Sequence, residues 1–228
     1  MKNMFEEVPK NYQSTLEHFA NFQQEVMKNG QISKKNKELI LIGVNAARRY
    51  EKSMLHHAKN AVDEGATVHE CIEILTPCIL SRGIPAWLEG FKAIQYVKEY
   101  CQSTTTDSVQ DGMNIHFQEI DEALTYFKEE AGGAKADWVK VMEDVAPEVL
   151  LHYGSLRASI LQDGVVSRKL KEFVLVAINV AERYEKGIEL HANSARKLGA
   201  TDKELAEVIL LGCLASGLPA WLEGSEFI

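Results

Sequence analysis

No two cysteines of this chain stand close enough to form a CxxC pair, and Cys71, Cys78, Cys101 and Cys213 show no spacing of the zinc-ligand kind. On a helix Cys71 and Cys78 would share a face but lie about 10 Å apart along its axis, beyond the roughly 7 Å that a disulfide bridges. All four are therefore expected as buried small hydrophobes in a reducing, cytoplasmic compartment, with no metal and no cofactor called for. Long apolar runs are also missing. The stretches around Leu39 to Val44 and Phe173 to Ala181 fall short of the roughly 18 residues that span a bilayer, so no membrane partner is expected.

A basic stripe is absent as well. The net charge is −8, and Arg48, Arg49 and Lys52 are interrupted by Glu51, so a nucleic-acid partner is not expected: phosphates need a net basic face to release their counterions. The opening MKNMFEE puts acids where a secretory signal requires an apolar run, and export is not expected. No stretch alternates in the manner of a strand, and no Asn-Gly or Asp-Gly turn joins alternating runs.

What the chain does have is itself, twice. Adding 134 to a position between Leu16 and Gly90 gives its counterpart between Leu150 and Gly224 without a gap. Nearly half the positions agree between SKKNKELILIGVNAARRYEK, with its continuation to PAWLEG, and SRKLKEFVLVAINVAERYEK, with its own. Composition alone does not produce such agreement. With 46% hydrophobic residues in 228, each copy can bury a core. The organisation expected is a first unit at 1–101, a linker and extra helix at 102–136, and a second unit at 137–228.

The punctuation predicts helices throughout. A first helix runs from about Ser14 to Lys28, its counterpart from Pro147-Glu148 towards Asp163-Gly164. A second opens at Ser33 or Ser167 and is apolar nearly all round, the mark of a central buried helix. A third ends at Gly65 or Gly199. Thr67-x-x-Glu70 and Thr201-x-x-Glu204 are capping boxes for a fourth, which ends near Gly83 or Gly217, after which Pro85 and Pro219 open a fifth. Between the copies, the polar CQSTTTDSVQDGMN reads as linker. HFQEIDEALTYFKEEA reads as an extra helix that buries Phe117, Ile120, Leu124 and Phe127 and stops at Gly132-Gly133.

Several polar positions are unchanged between the copies: Glu38/Glu172, Asn45/Asn179, Tyr50/Tyr184, Glu51/Glu185 and His57/His191. Seven residues separate Tyr50 from His57 and Glu38 from Asn45, so each pair points within about 20° on its helix. A bend near Arg48 to Lys52 would face the two stripes and let Glu38 meet His57. Ser53, or Gly187, is the small residue that would leave room beside the imidazole. Bland readings compete. Tyr50 and Tyr184 are expected as packing residues with bonded hydroxyls, and Glu51 and Glu185 as partners of neighbouring cations. His18/His152 carry no motif. Glu70-x-x-Glu73 and Glu204-x-x-Glu207 lack the histidine of a di-metal site and are expected as solvated capping acids.

The spacing is similar to that of the alkylhydroperoxidase-D-like proteins, whose motif is Glu-x11-Cys-x2-Cys-x3-His. This chain reads Glu38-x11-Tyr50-x2-Ser53-x3-His57 and Glu172-x11-Tyr184-x2-Gly187-x3-His191. The resemblance implies an all-α fold of two tandem helical-bundle units related by an internal pseudo-twofold. Its proton relay from Glu to His carries over, whereas its redox sulfurs do not. The segments following each histidine resemble the sister branch, γ-carboxymuconolactone decarboxylase, which has no obligatory cysteine pair. That branch implies a cofactor-free, decarboxylase-type lyase acting on a small organic acid or lactone.

On this reading His57, His191, Glu38 and Glu172 are the catalytic candidates, and Tyr50, Tyr184, Ser53, Asn45 and Asn179 would touch the small-molecule substrate. The resemblance further implies a homo-oligomer, dimer or trimer, with Trp87 or Trp221 near the interfaces. Two other readings remain open. One is an antioxidant, peroxiredoxin-type activity through Cys71 or Cys78; the other is a non-catalytic binding module with a degenerate site.

Overall fold

The computed structural model describes residues 12–102 and 115–228, and the body of the linker at 103–114 lies outside them. Copy one folds as α1 (Gln13–Met27), α2 (Lys34–Ala47), α3 (Glu51–Asp63), α4 (Val68–Glu73), α5 (Pro77–Arg82) and α6 (Ile84–Tyr100). The junction contributes α7 (Ile120–Glu130) and α8 (Asp137–Val145). Copy two follows as α9 (Pro147–Ile160), α10 (Arg168–Glu182), α11 (Glu185–Lys197), α12 (Asp202–Ser216) and α13 (Leu218–Gly224), closed by a 3₁₀ turn at Ser225–Phe227. No strand occurs among the described residues.

The centre of the molecule is the pair α2 and α10. Each starts at a serine whose hydroxyl accepts an amide of the first turn: Asn36 N to Ser33 Oγ at 3.2 Å, and Leu170 N to Ser167 Oγ at 3.3 Å. Each then buries every residue from Lys37 to Ala47, or from Leu170 to Ala181, because it is apolar all round and has neighbours on all sides. A Cβ placed on Gly43 would lie 2.7 Å from Val174 Cγ1. The missing side chain is what lets α2 approach α10 so closely. One core cluster draws on both copies, from Leu39 and Met54 to Val174 and Ile188.

Two buried lysines lock the copies together reciprocally. Lys37 Nζ, its side chain 3% exposed, lies 2.9 Å from Glu207 Oε2 and donates to the carbonyls of Val26 and Lys28 at 2.8 Å each. All three ammonium protons are thereby satisfied. Glu207 also accepts the amides of Gln31 at 2.7 Å and Ile32 at 3.1 Å, so an acid of copy two closes the α1–α2 loop of copy one. The mirror contact joins Lys171 to Glu73 at 2.5 Å, with Val165 and Val166 amides donating to the same carboxylate. Glu73 and Glu207 are thus not the solvated capping acids the sequence suggests. Glu70 and Glu204 do close the capping boxes, while the acids one turn later cross to the other copy.

Other expectations need correcting. The fourth helix of copy one is broken into α4 and α5, because Pro77 has no amide proton to continue the ladder. Leu211 holds the same position in copy two, and α12 runs through unbroken. Helix α8 is a further helix beyond those the punctuation predicts, and it packs Val139 with Phe127 and Leu150 into a satellite core over α9. Cys101 is exposed, unlike the other three cysteines. Trp87 and Trp221 need no correction: they pack partly buried against the main core, while Leu88 and Leu222 beside them are exposed.

Candidate functional site

The two polar stripes do meet. After α2 the chain turns through Arg49, a non-glycine residue at φ 57°, and after α10 through Arg183 at φ 62°. The next helix then folds back along its predecessor, and Tyr50 N and Tyr184 N donate to the Asn45 and Asn179 carbonyls at 2.9 Å. His57 Nδ1 consequently lies 2.6 Å from Glu38 Oε2, and His191 Nδ1 lies 2.7 Å from Glu172 Oε2. All four groups are buried. A carboxylate can only accept here, so Nδ1 carries the proton of the neutral ring and Nε2 is left as the accepting nitrogen.

The copies differ behind the dyads. In copy one both glutamate oxygens are engaged, since Asn60 Nδ2 donates to Glu38 Oε1 at 3.3 Å and also sits 3.2 Å from His56 Nε2. Burial, together with the neighbouring charge of His57, holds His56 below the ordinary imidazole range. In copy two Ser194 replaces Asn60 and bonds the carbonyl of Leu190 instead. Glu172 Oε1 has no hydrogen-bond partner, and its nearest cation is Arg168 Nη2 at 3.8 Å. Arg168 itself reaches across to Glu130 of α7, donating to both carboxylate oxygens at 2.7 Å.

A cavity of about 290 Å³ opens beside the second dyad. His191, Asn179, Gly187 and Tyr184 come from copy two, Leu80, Ser81 and Arg82 from α5 of copy one, and Phe127, Glu130 and Trp138 from the junction. The wall is therefore assembled from three parts of the chain, and one of them lies outside the repeat altogether. Its size sits at the lower edge of the ~300–1,000 Å³ typical of small-molecule sites.

The remaining candidates sort themselves by position. Asn45 and Asn179 are buried and donate to the carbonyls of Leu41 and Leu175, each at 2.7 Å, and Asn179 faces the cavity. Tyr50 and Tyr184 are 59% and 54% exposed, so neither is the buried packing residue expected. Each stands just before its helix, where the backbone has already left the helical path that would align it with the histidine. Tyr184 nevertheless borders the cavity; Ser53 is half-buried on α3. The room expected at Gly187 is filled: a Cβ there would meet Asn179 Cγ at 2.5 Å and Tyr184 Cδ1 at 2.6 Å. Glu51 pairs with Lys92, while His18 and His152 are exposed and apart from either dyad.

Sequence reasoning missed Arg157, Arg168, Glu130 and Trp138. A signal existed for Arg157, which stands where copy one has Gln23, and for Arg168 in place of Lys34. None existed for Glu130, which belongs to the junction. The thiols offer little to the site. Burial pushes Cys71 and Cys78 up to about 12, and Cys78 Sγ is turned to the carbonyl of Gly43 at 3.4 Å. No cluster of metal-ligating side chains and no helix long and apolar enough to cross a membrane occurs among the described residues.

A family model described as the carboxymuconolactone decarboxylase family matches residues 13–96 and again 147–227. A Methanocaldococcus jannaschii protein of uncharacterized function is 29% identical over 89 residues, covering 39% of this chain and 83% of that protein, the extent of a single copy. The crystal structure described as that of a gamma-carboxymuconolactone decarboxylase subunit from Burkholderia xenovorans superposes with a TM-score of 0.65 at 21% identity. It covers 93% of this chain and 84% of its own, and at that identity it speaks for the fold alone.

Proposed function

We propose, because this chain belongs to the carboxymuconolactone decarboxylase family, that its Glu–His dyads perform acid/base chemistry on a small organic acid or lactone without redox cysteines. One observation carries the reading: a buried imidazole is held at Nδ1 by a buried carboxylate 2.7 Å away, and the ring borders a cavity. The glutamate fixes the tautomer and the ring orientation. Nε2 then removes a proton when the ring is neutral, and when the ring is the imidazolium it delivers its Nε2 proton to the carbon freed as a carboxylate leaves as carbon dioxide, returning to the neutral Nδ1–H ring.

His57 and His191 are the proton carriers in this proposal, and Glu38 and Glu172 position them. Asn179 and Tyr184 border the substrate in copy two, with Asn45, Tyr50 and Ser53 at the matching places in copy one. The chain acts in the cytoplasm as a dimer or trimer, and a monomer in light scattering would overturn that assembly. The antioxidant alternative loses support from Cys71 and Cys78, whose thiols are buried and un-ionised at neutral pH.

The test is turnover of a panel of small lactone and keto acids in deuterated buffer, followed by NMR for carbon dioxide loss and for deuterium entering the product. General acid/base catalysis contributes roughly 10²–10⁴-fold, so His57→Asn combined with His191→Asn should lower the rate by at least about 100-fold. Glu38→Gln with Glu172→Gln should lower it too. A double histidine variant that turns over as fast as the parent would defeat the dyad reading, and a parent that turns over none of the panel would leave a binding module.

A further inference from the structure

Arg157 is the feature of the second site that the dyad chemistry does not use. It sits in the last turn of α9, its side chain 10% exposed, and lines the same cavity as His191. A buried guanidinium ordinarily has its donors bonded, because leaving a charged group dry and unpaired is costly. Arg157 donates no side-chain hydrogen bond among the described residues. Its ion-pair contact is Glu130 Oε2 at 3.8 Å, beyond hydrogen-bond reach. Glu130 is meanwhile committed to Arg168, with both oxygens 2.7 Å from Nη2. The planar donor fork of Arg157 thus borders the cavity with no hydrogen-bond partner among the described residues.

We infer that Arg157 is the specificity-determining residue of the second site, holding the carboxylate of a small planar acid in the cavity beside His191. The inference rests on the acid/base reading above and gives that reading its substrate class and its place, in copy two. Arginine suits the task because its fork matches a carboxylate with two parallel N–H···O bonds. Phe127, Trp138, Tyr153 and Tyr184 line the cavity with aromatic faces, and about 290 Å³ admits a flat molecule of benzoate size. Of the charged side chains on the wall, Arg82, Arg157 and Lys186 are cationic and Glu130 alone is anionic, and Glu130 is held by Arg168, so the balance favours an anion. Copy one has Gln23 at the position of Arg157, so its site lacks this cation.

The experiment is equilibrium titration of the full ¹⁵N-labelled chain with benzoate, and with benzamide as its uncharged isostere. Binding is read with no turnover, so its outcome is independent of the dyad chemistry. Benzoate should shift the amides of Ala131, Gly187 and Leu190 and bind at least tenfold more tightly than benzamide. Arg157→Gln should weaken benzoate at least tenfold and leave benzamide unchanged, while Arg157→Lys recovers part of the difference. Should Arg157→Gln fail to fold, the benzoate–benzamide ratio of the parent and the Lys variant decide. Equal affinity for the two probes in the parent, unaltered benzoate binding in Arg157→Gln, or shifts confined to residues away from the cavity would each overturn the assignment.

Discussion

Replacing Glu207 by glutamine removes one half of a lock between the two copies, and its cost can be worked from the contacts. Lys37 keeps its two carbonyl acceptors but loses its counter-charge, in a place where the ammonium side chain is only 3% exposed. Breaking a buried ion pair by deleting one partner costs about 3–5 kcal/mol. Glu207 is itself 21% exposed, which places this case near the lower end, about 3 kcal/mol. Lys37→Met should cost a similar amount, because it strands the carboxylate and two carbonyls. The double variant removes both charges together and should lose about 3–4 kcal/mol rather than the sum of the singles, a coupling of roughly 2 kcal/mol or more.

The assay is chemical denaturation at neutral pH followed by circular dichroism, closed as a double-mutant cycle. Burial alone would raise Glu207, but the hydrogen bonds from Lys37 and from the Gln31 and Ile32 amides hold it below its ordinary 4.5. A carboxyl depressed in the folded state stabilises above the unfolded value, and that contribution disappears as the pH falls through the folded one. The gap between parent and Glu207→Gln should therefore close as the pH is lowered below about 4.5. Costs of the two single variants that simply add within about 0.5 kcal/mol would refute the argument.

Two further outcomes follow from the packing. Native protein treated with a thiol reagent should modify Cys101 rapidly while Cys71 and Cys78, buried and pushed up to about 12, react only on unfolding; fast labelling of either would contradict their placement. Gly187→Ser should cost about 1–3 kcal/mol and perturb the cavity, because its Cβ would meet Asn179 and Tyr184 at 2.5 and 2.6 Å. Thermal unfolding unchanged from the parent would show that Asn179 yields freely.

The halves are alike in their dyads and unlike in what surrounds them. Glu38 is fully bonded by His57 and Asn60 in a setting where Lys34 turns away to Glu64. Glu172 keeps one oxygen unbonded, close to an arginine that the junction helix draws inward. The motif is preserved while the substituents behind it, Asn60 against Ser194 and Lys34 against Arg168, have diverged. The assignment of the substrate to copy two draws on a further difference of this kind, Arg157 against Gln23, and on the cavity beside His191.

The repeat, the all-α fold, the serine caps of α2 and α10, the capping boxes and the meeting of Glu with His were all legible in the residues, because each depends on local spacing. A 134-residue register needs no coordinates, and helical periodicity with cap chemistry is a matter of neighbours along the chain. The break at Pro77 is equally local. What folding alone decided are the long-range pairings: Lys37 with Glu207, Lys171 with Glu73, Arg168 with Glu130, and the cavity that α5, α7 and α8 build around His191. These depend on how two copies pack across a pseudo-twofold and where the junction comes to rest. No spacing along a chain encodes which acid reaches which lysine on the far side of a shared core.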